Sequence, residues 1–167
     1  MLVRVYILGM LSKTKNDLSL DIREKLTAIL QQRLVESIDF QLQSKQSHWN
    51  VKGPQFISLH KLFDEVTEQA GEYTDELAER LVQLGGTAEG GAALVASKSG
   101  LPVISLTVRD GMAHAEALAT VSAEFGKRIR KSIDEAAALG DAGTADLFTE
   151  ISRGLDKSLW MLEAHLG

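Results

Sequence analysis

The sequence predicts an all-α fold: four long helices arranged as two hairpins, joined by a long crossover. Three observations carry this. Apolar residues recur every three or four positions over four long stretches, the signature of amphipathic helices. The only prolines are Pro54 and Pro102, so those stretches run uninterrupted. Glycine concentrates between the second and third stretch, with five of the 14 glycines lying between Gly85 and Leu106. No alternating pattern competes for strands.

The first helix is expected from about Leu20 to Trp49, with Ile22, Leu26, Leu30, Leu34, Ile38 and Leu42 stepping by four. The second is expected from Pro54, which suits a first helical turn, to Leu84, where Gly85-Gly86 ends it. Leu59, Phe63, Val66, Ala70, Tyr73, Leu77 and Leu81 form its stripe. The crossover from Gly85 to Leu106 is expected to carry a short helix at Ala92–Lys98. A third long helix follows from about Thr107 to Leu139, with Met112, Leu118, Phe125, Ile129 and Ile133 inward and Gly140 as its stop. Thr144 is the expected cap of the fourth, whose stripe is Leu147, Phe148, Ile151, Leu155, Leu159, Leu162 and Leu166. Two antiparallel hairpins and one long crossover make a ferritin-like four-helix bundle. It is expected over residues 19–167, behind a flexible N-terminal tail at 1–18.

Composition narrows the chemistry. The 167 residues hold no cysteine, which excludes disulfides, thiolate metal sites and a cysteine nucleophile. Any metal must be held by His, Asp or Glu. A net charge of −5, from 18 basic and 23 acidic residues, repels phosphate backbones and attracts cations. No apolar run is long enough to span a membrane. The opening Met1–Met10 run is a weak signal-like segment, an extension ahead of a start at Met10, or a loose tail. The cytoplasm is the expected compartment, with association with the nucleoid as a variant of it.

The second helix carries the densest chemistry. His60 and Asp64 are four apart and share a face, as do Asp75 and Glu79. Asp64 and Asp75 are eleven apart, close to three whole turns, so all four project from roughly one side. That step also separates the two pairs by about 16 Å along the axis. Metal–ligand bonds of about 2 Å cannot bridge it within one chain. An antiparallel copy of the helix, crossing between residues 69 and 70, would bring His60/Asp64 against Asp75/Glu79 of the other chain. Ala70 and Gly71 are small enough to permit that approach. Pair centres near residues 62 and 77 would give twin sites about 22 Å apart. His48 lies one short loop away and can reach the first pair. The plainer alternative is a set of solvated carboxylates on a charged helix face. The Glu-x-x-His pairs used by di-metal sites inside one bundle are absent.

The run Ser44-Lys45-Gln46-Ser47-His48-Trp49-Asn50-Val51-Lys52-Gly53 is followed by Phe56, His60 and Phe63-Asp64-Glu65. Then come Asp75-Glu76-Leu77-Ala78-Glu79-Arg80-Leu81-Val82-Gln83-Leu84-Gly85-Gly86 and, later, Gly154-Leu155-Asp156-Lys157-Ser158-Leu159-Trp160-Met161-Leu162-Glu163-Ala164. Together these closely resemble the Dps family of mini-ferritins, over residues 19 to 166. The resemblance implies a homo-dodecameric shell around an iron-storing cavity, with ferroxidase sites between two-fold related subunits. It implies His48, His60 and Asp64 from one chain, and Asp75 and Glu79 from the other, as metal ligands. The implied reaction oxidises Fe(II) to Fe(III), with hydrogen peroxide preferred over dioxygen, and stores a ferric mineral. Zinc can substitute at such a ligand set. Trp49 resembles the family tryptophan near the site, as an electron donor or as a packed interface ring.

Family members also carry acidic pores near the start of the last helix, which here would draw on Asp141, Asp146 and Glu150. Ordinary first-turn acids are the alternative for the first two. The best-known members bind DNA through lysine-rich tails, and no such tail stands here, so DNA binding is expected to be weak or absent. Lys127, Arg128, Arg130 and Lys131 form a basic cluster on the third long helix, for which a solvated face is favoured over a DNA contact. Two other functions compete with the ferroxidase: a nucleoid-compacting DNA binder, and a bundle holding structural zinc at its interface.

Overall fold

The structure is a computed structural model that describes residues 11–167. The Met1–Met10 run, with the three readings given to it, lies outside the described residues. Five helices follow in order: α1 (Leu20–Asn50), α2 (Phe56–Gln83), α3 (Ala92–Lys98), α4 (Gly111–Ala138) and α5 (Ala142–Glu163). Among the described residues there is no strand, and no helix is long and apolar enough to cross a membrane. The fold is the all-α ferritin-like bundle.

α1 packs along α2, and α4 along α5. The two hairpins meet chiefly through α1 against α4 and α2 against α5. The core runs the length of the bundle and centres on Phe40, Phe63, Phe125 and Phe148, all fully buried. Phe40 and Phe125 join the hairpins with ring centroids 5.6 Å apart. Burying side chains of this size stabilises the fold by roughly 1.5–3 kcal/mol each.

The helix ends follow local chemistry. Ser19 caps α1 by accepting from the Ile22 N–H. Gly53, with φ +108°, turns the chain after α1. Pro54 lies in the turn ahead of Phe56 and not inside the helix, so α2 starts two residues later than expected. Gly85, with φ +93°, closes α2, and the Gly86 N–H donates back to the Leu81 carbonyl at 3.1 Å. Residues 11–18 form no helix. Ser12 donates its N–H to the Gly85 carbonyl at 2.7 Å, laying that stretch over the end of α2.

Three expectations about α1, α4 and α5 are corrected. Leu42 is 57% exposed and Phe40 takes the core position near it, because the buried stripe drifts around a 31-residue helix. α4 begins at Gly111: the Val108 N–H closes a turn onto the Ser105 carbonyl at 3.1 Å, and the chain stays non-helical to Asp110. The cap of α5 is Asp141, whose carboxylate accepts from the N–H groups of Gly143 and Thr144. Thr144 is buried inside the first turn and donates its own hydroxyl to Asp141.

The crossover is fastened to α1 by side chains. Gln31 donates to the Glu89 carbonyl at 2.8 Å and accepts from the Glu89 N–H at 3.0 Å. Gln43 does the same further on, donating to the Pro102 carbonyl at 3.0 Å and accepting from the Ile104 N–H at 2.9 Å. Between them sits Glu36, 1% exposed. It accepts from Gln32 at 2.9 Å and Arg128 at 2.8 Å, and lies 3.2 Å from Arg33. Arg128 also donates to the Gly100 carbonyl at 2.6 Å. Arg128 therefore belongs to a buried network joining α1, α4 and the crossover, not to a solvated face.

Candidate metal centre

The His half of the expected site is assembled within the chain. The last turns of α1 and the first turns of α2 bring the His48 and His60 rings into a stack, with centroids 3.7 Å apart. Phe56 packs on His60 at 4.9 Å. His48 Nδ1 bonds to the His60 carbonyl at 2.7 Å, and His60 Nδ1 bonds to the His48 carbonyl at 2.9 Å. A carbonyl only accepts, so each Nδ1 carries a proton. Each Nε2 of the neutral ring is left with a free lone pair. This is how protein imidazoles are held for metal ligation, one ring nitrogen donating to a carbonyl and the other facing the metal.

Asp64 stands one turn beyond His60, its carboxylate 3.8 Å from His48 Nδ1. The Lys45 ammonium, on the same face of α1 as His48, hydrogen-bonds to that carboxylate. This bond is the largest effect on the Asp64 carboxyl; it outweighs the opposing effect of burial and holds the group below its ordinary range. The reading of the sequence did not single out Lys45. The three-residue step from Lys45 to His48 was the available signal.

Asp75 and Glu79 lie far from this group. α2 is continuous from Phe56 to Gln83, so they sit about 16 Å further along it. Both are exposed. Among the described residues of a single chain, no three His, Asp or Glu side chains converge to hold a metal. Arg80, next to Glu79, turns inward and pairs with Asp141 at 2.9 Å, while its Nε donates to the Thr144 hydroxyl at 2.9 Å.

Ala70 and Gly71 do not present a small outward surface midway along α2. Ala70 is fully buried. A Cβ on Gly71 would meet the Gln41 amide of α1 at 2.8 Å. These small residues serve the contact between α1 and α2. The large exposed apolar side chains of α2 lie instead near its two ends, Phe56 and Ile57 beside the histidines, where Trp49 of α1 is also exposed, and Val82 beside Glu79. Trp49 is 69% exposed.

Of the three carboxylates expected at a pore, Asp141 is buried and committed to the α5 cap, Thr144 and Arg80. Burial alone would push its carboxyl up, but the hydrogen bonds from Thr144 and Arg80 outweigh this and hold it below the ordinary range. Asp146 and Glu150 are exposed on one face of α5. Glu150 also faces α2: burial, then Glu150, Glu72 and Asp75, push the Glu76 carboxyl up. An acidic surface thus runs from the Asp75 end of α2 across to α5. On α4 the basic residues are paired, Arg130 with Asp156 at 2.8 Å, Lys131 with Glu135 at 3.2 Å and Lys127 with Glu124 at 3.9 Å.

Comparison with known proteins agrees with this architecture. Residues 27–167 match the ferritin-like domain family. The chain is 46% identical over 154 residues to a DNA protection during starvation protein of Agrobacterium fabrum, covering 92% of this chain and 95% of that one. A protein of the same description from Brevibacillus brevis is 34% identical, covering 86% and 96%. Among solved structures, the tetragonal form of Mycobacterium smegmatis Dps superposes with a TM-score of 0.89 at 32% identity, covering 94% of each chain. The class defined by fold and sequence is the ferritin-like proteins. Within it, the chain belongs to the Dps family.

Proposed function

We propose that the protein is a ferroxidase and iron store whose catalytic sites form between two copies of the chain. His48, His60 and Asp64 come from one copy, and Asp75 and Glu79 from the other. The observation that carries this reading is the division of α2. One end presents two imidazoles with free Nε2 atoms beside a carboxylate. The other presents two exposed carboxylates, out of reach on the same chain. The exposed apolar residues at both ends, Trp49, Phe56, Ile57 and Val82, support an antiparallel two-fold contact there. Two-fold symmetry would create the site twice per pair. The larger assembly proposed is a dodecameric shell.

Imidazole and carboxylate donors suit Fe(II), the substrate. Two Fe(II) ions each give one electron to hydrogen peroxide, and the O–O bond breaks to yield two hydroxides and two Fe(III) ions. Hydrolysis of Fe(III) then releases protons and deposits ferric mineral inside the shell. Dioxygen is the slower oxidant. Zinc occupies the same ligands without being oxidised. Asp146 and Glu150 draw cations toward the interior, with Asp141 fixing the helix start that carries them. Trp49, beside His48, supplies an electron when only one iron is oxidised. The paired state of the α4 basic cluster supports weak or absent DNA binding, which a gel shift across a salt series checks.

The decisive experiment is complementation. A His60→Ala/Asp64→Ala chain and an Asp75→Ala/Glu79→Ala chain are each expected to oxidise Fe(II) at the protein-free rate. Unfolded together and co-refolded, they should recover roughly a quarter of wild-type activity, because half the pairs are mixed and each mixed pair holds one intact site. Equal activity before and after mixing would refute a shared site.

A further inference from the structure

We propose that the cavity at the start of α4 is a binding site for a small inorganic anion of halide or nitrate size, with His114 as its buried contact. The cavity measures about 40 Å³. It is lined by Gln46 and Asn50 of α1, Lys52 of the connection to α2, Ser105, Leu106, Val108 and Arg109 of the stretch before α4, and His114. That volume admits on the order of three water positions. It excludes nucleotides and phosphorylated metabolites by size.

His114 is 3% exposed, yet neither ring nitrogen has a hydrogen-bond partner. Buried polar groups almost always have one, so a ring orphaned at a cavity wall marks a place where something binds. Burial pushes the imidazole below its ordinary range, with Asp110 pulling weakly the other way. At neutral pH the ring is thus neutral and offers one N–H donor.

The lining decides the sign of the occupant. Its charged members are Lys52 and Arg109, and no carboxylate joins them. Among the described residues neither cation forms an ion pair, whereas Arg80, Arg128 and Arg130 each hold a carboxylate. The Gln46 and Asn50 amides and the Ser105 hydroxyl can all donate. The positive end of the 28-residue α4 lies at the cavity edge, and its N-cap residue, Asp110, makes no capping bond. A metal cation would meet two like charges and one imidazole. An anion meets donors from three segments of chain.

Gln46 and Asn50 each stand two positions from His48, about 200° around α1 and so on its other side, and the test does not depend on iron. The full-length protein is melted in rising sodium bromide, with ionic strength held by sodium gluconate, whose anion is too large for the cavity. Crystals grown in bromide are examined at the bromine edge. The expected result is a saturable rise in Tm and an anomalous peak within hydrogen-bond distance of the His114 ring. In Lys52→Gln/Arg109→Gln, changes at exposed positions, the bromide concentration for half the shift should rise by about tenfold or more. Water alone in the cavity at saturating bromide would overturn the proposal, and so would an undiminished shift in the double variant. A bromide peak in the crystal with no concentration-dependent shift in solution would mean an adventitious ion only, and would overturn it as well.

Discussion

The two ends of α2 each carry a pair of candidate ligands four residues apart, His60 and Asp64 at one and Asp75 and Glu79 at the other, and treat it in opposite ways. At the N-terminal end the candidate ligands are themselves the structure. His48 and His60 stack and each bonds the other's backbone, and Asp64 is held by Lys45. At the C-terminal end the structure is carried by a neighbour. Arg80 reaches in to Asp141 and Thr144, and Asp75 and Glu79 are left facing outward. A helix end fixed by its candidate ligands holds them in one arrangement. A helix end fixed beside its ligands is suited to being offered to another chain.

Substitutions should separate the two ends. The largest effect is expected from Asp75→Asn/Glu79→Gln. Stopped-flow measurement of Fe(II) oxidation by peroxide should show a loss of about a hundredfold or more. The melting temperature should barely move, because exposed side chains contribute within about 0.5 kcal/mol. A comparable fall in stability would mean that this end is structural. Next, Asp141→Asn should lower unfolding free energy at pH 7 by about 1.5–3 kcal/mol, the value of hydrogen bonds to a charged group. The folded carboxyl titrates below its unfolded value of about 3.9, so its contribution is complete above that pH. It is lost as pH falls through the lower, folded value. Urea titrations from pH 6 to 3 should show this acid-dependent loss in the parent and a flatter profile in the variant.

His60→Ala should differ from the carboxylate pair by costing both activity and stability, about 1 kcal/mol of the latter, since the bond to the His48 carbonyl goes with the ring. Chemical denaturation alongside the oxidation assay measures the two losses separately. The smallest effect is expected from Lys45→Met. Without the ammonium, the Asp64 carboxyl returns toward its ordinary range, so the midpoint of its own titration, followed by carboxyl-resolved NMR, should move upward. An unchanged midpoint would show that Lys45 does not hold Asp64 in solution.

What the sequence made legible was local. The 3.6 period located the four long helices. The Gly85-Gly86 pair and the glycines around Ala92–Lys98 located the end of α2 and the short helix in the crossover. The helical step between Asp64 and Asp75 was enough to separate the two pairs. What stayed hidden depends on residues far apart in the chain. Glu36 reads as a surface acid until Arg128, 92 positions on, closes over it. Gln31 and Gln43 read as solvated amides until the crossover, 58 to 61 residues later, docks on them. Asp141 resembled an acid for a pore because its partner, Arg80, lies on another helix. Ala70 and Gly71 were small for a reason, but the reason was α1.

The glutamine contacts change what kind of object the crossover is. A carboxamide presents the same donor and acceptor as a peptide group, so Gln31 and Gln43 each act as a one-residue edge to which an extended chain can pair. The crossover is therefore registered against α1 near its two ends, at Glu89 and Ile104, and is held between them by Gln32 on the Lys98 carbonyl and by Ser99 on Asp39. Residues inserted next to Lys98 or Ser99 would have to break these bonds. The same residues placed at either anchor would shift the chain against its template and loosen the seam between the hairpins. Replacing either amide by glutamate keeps the shape but turns a donor into a second acceptor facing a carbonyl, so the isosteric change is the disruptive one.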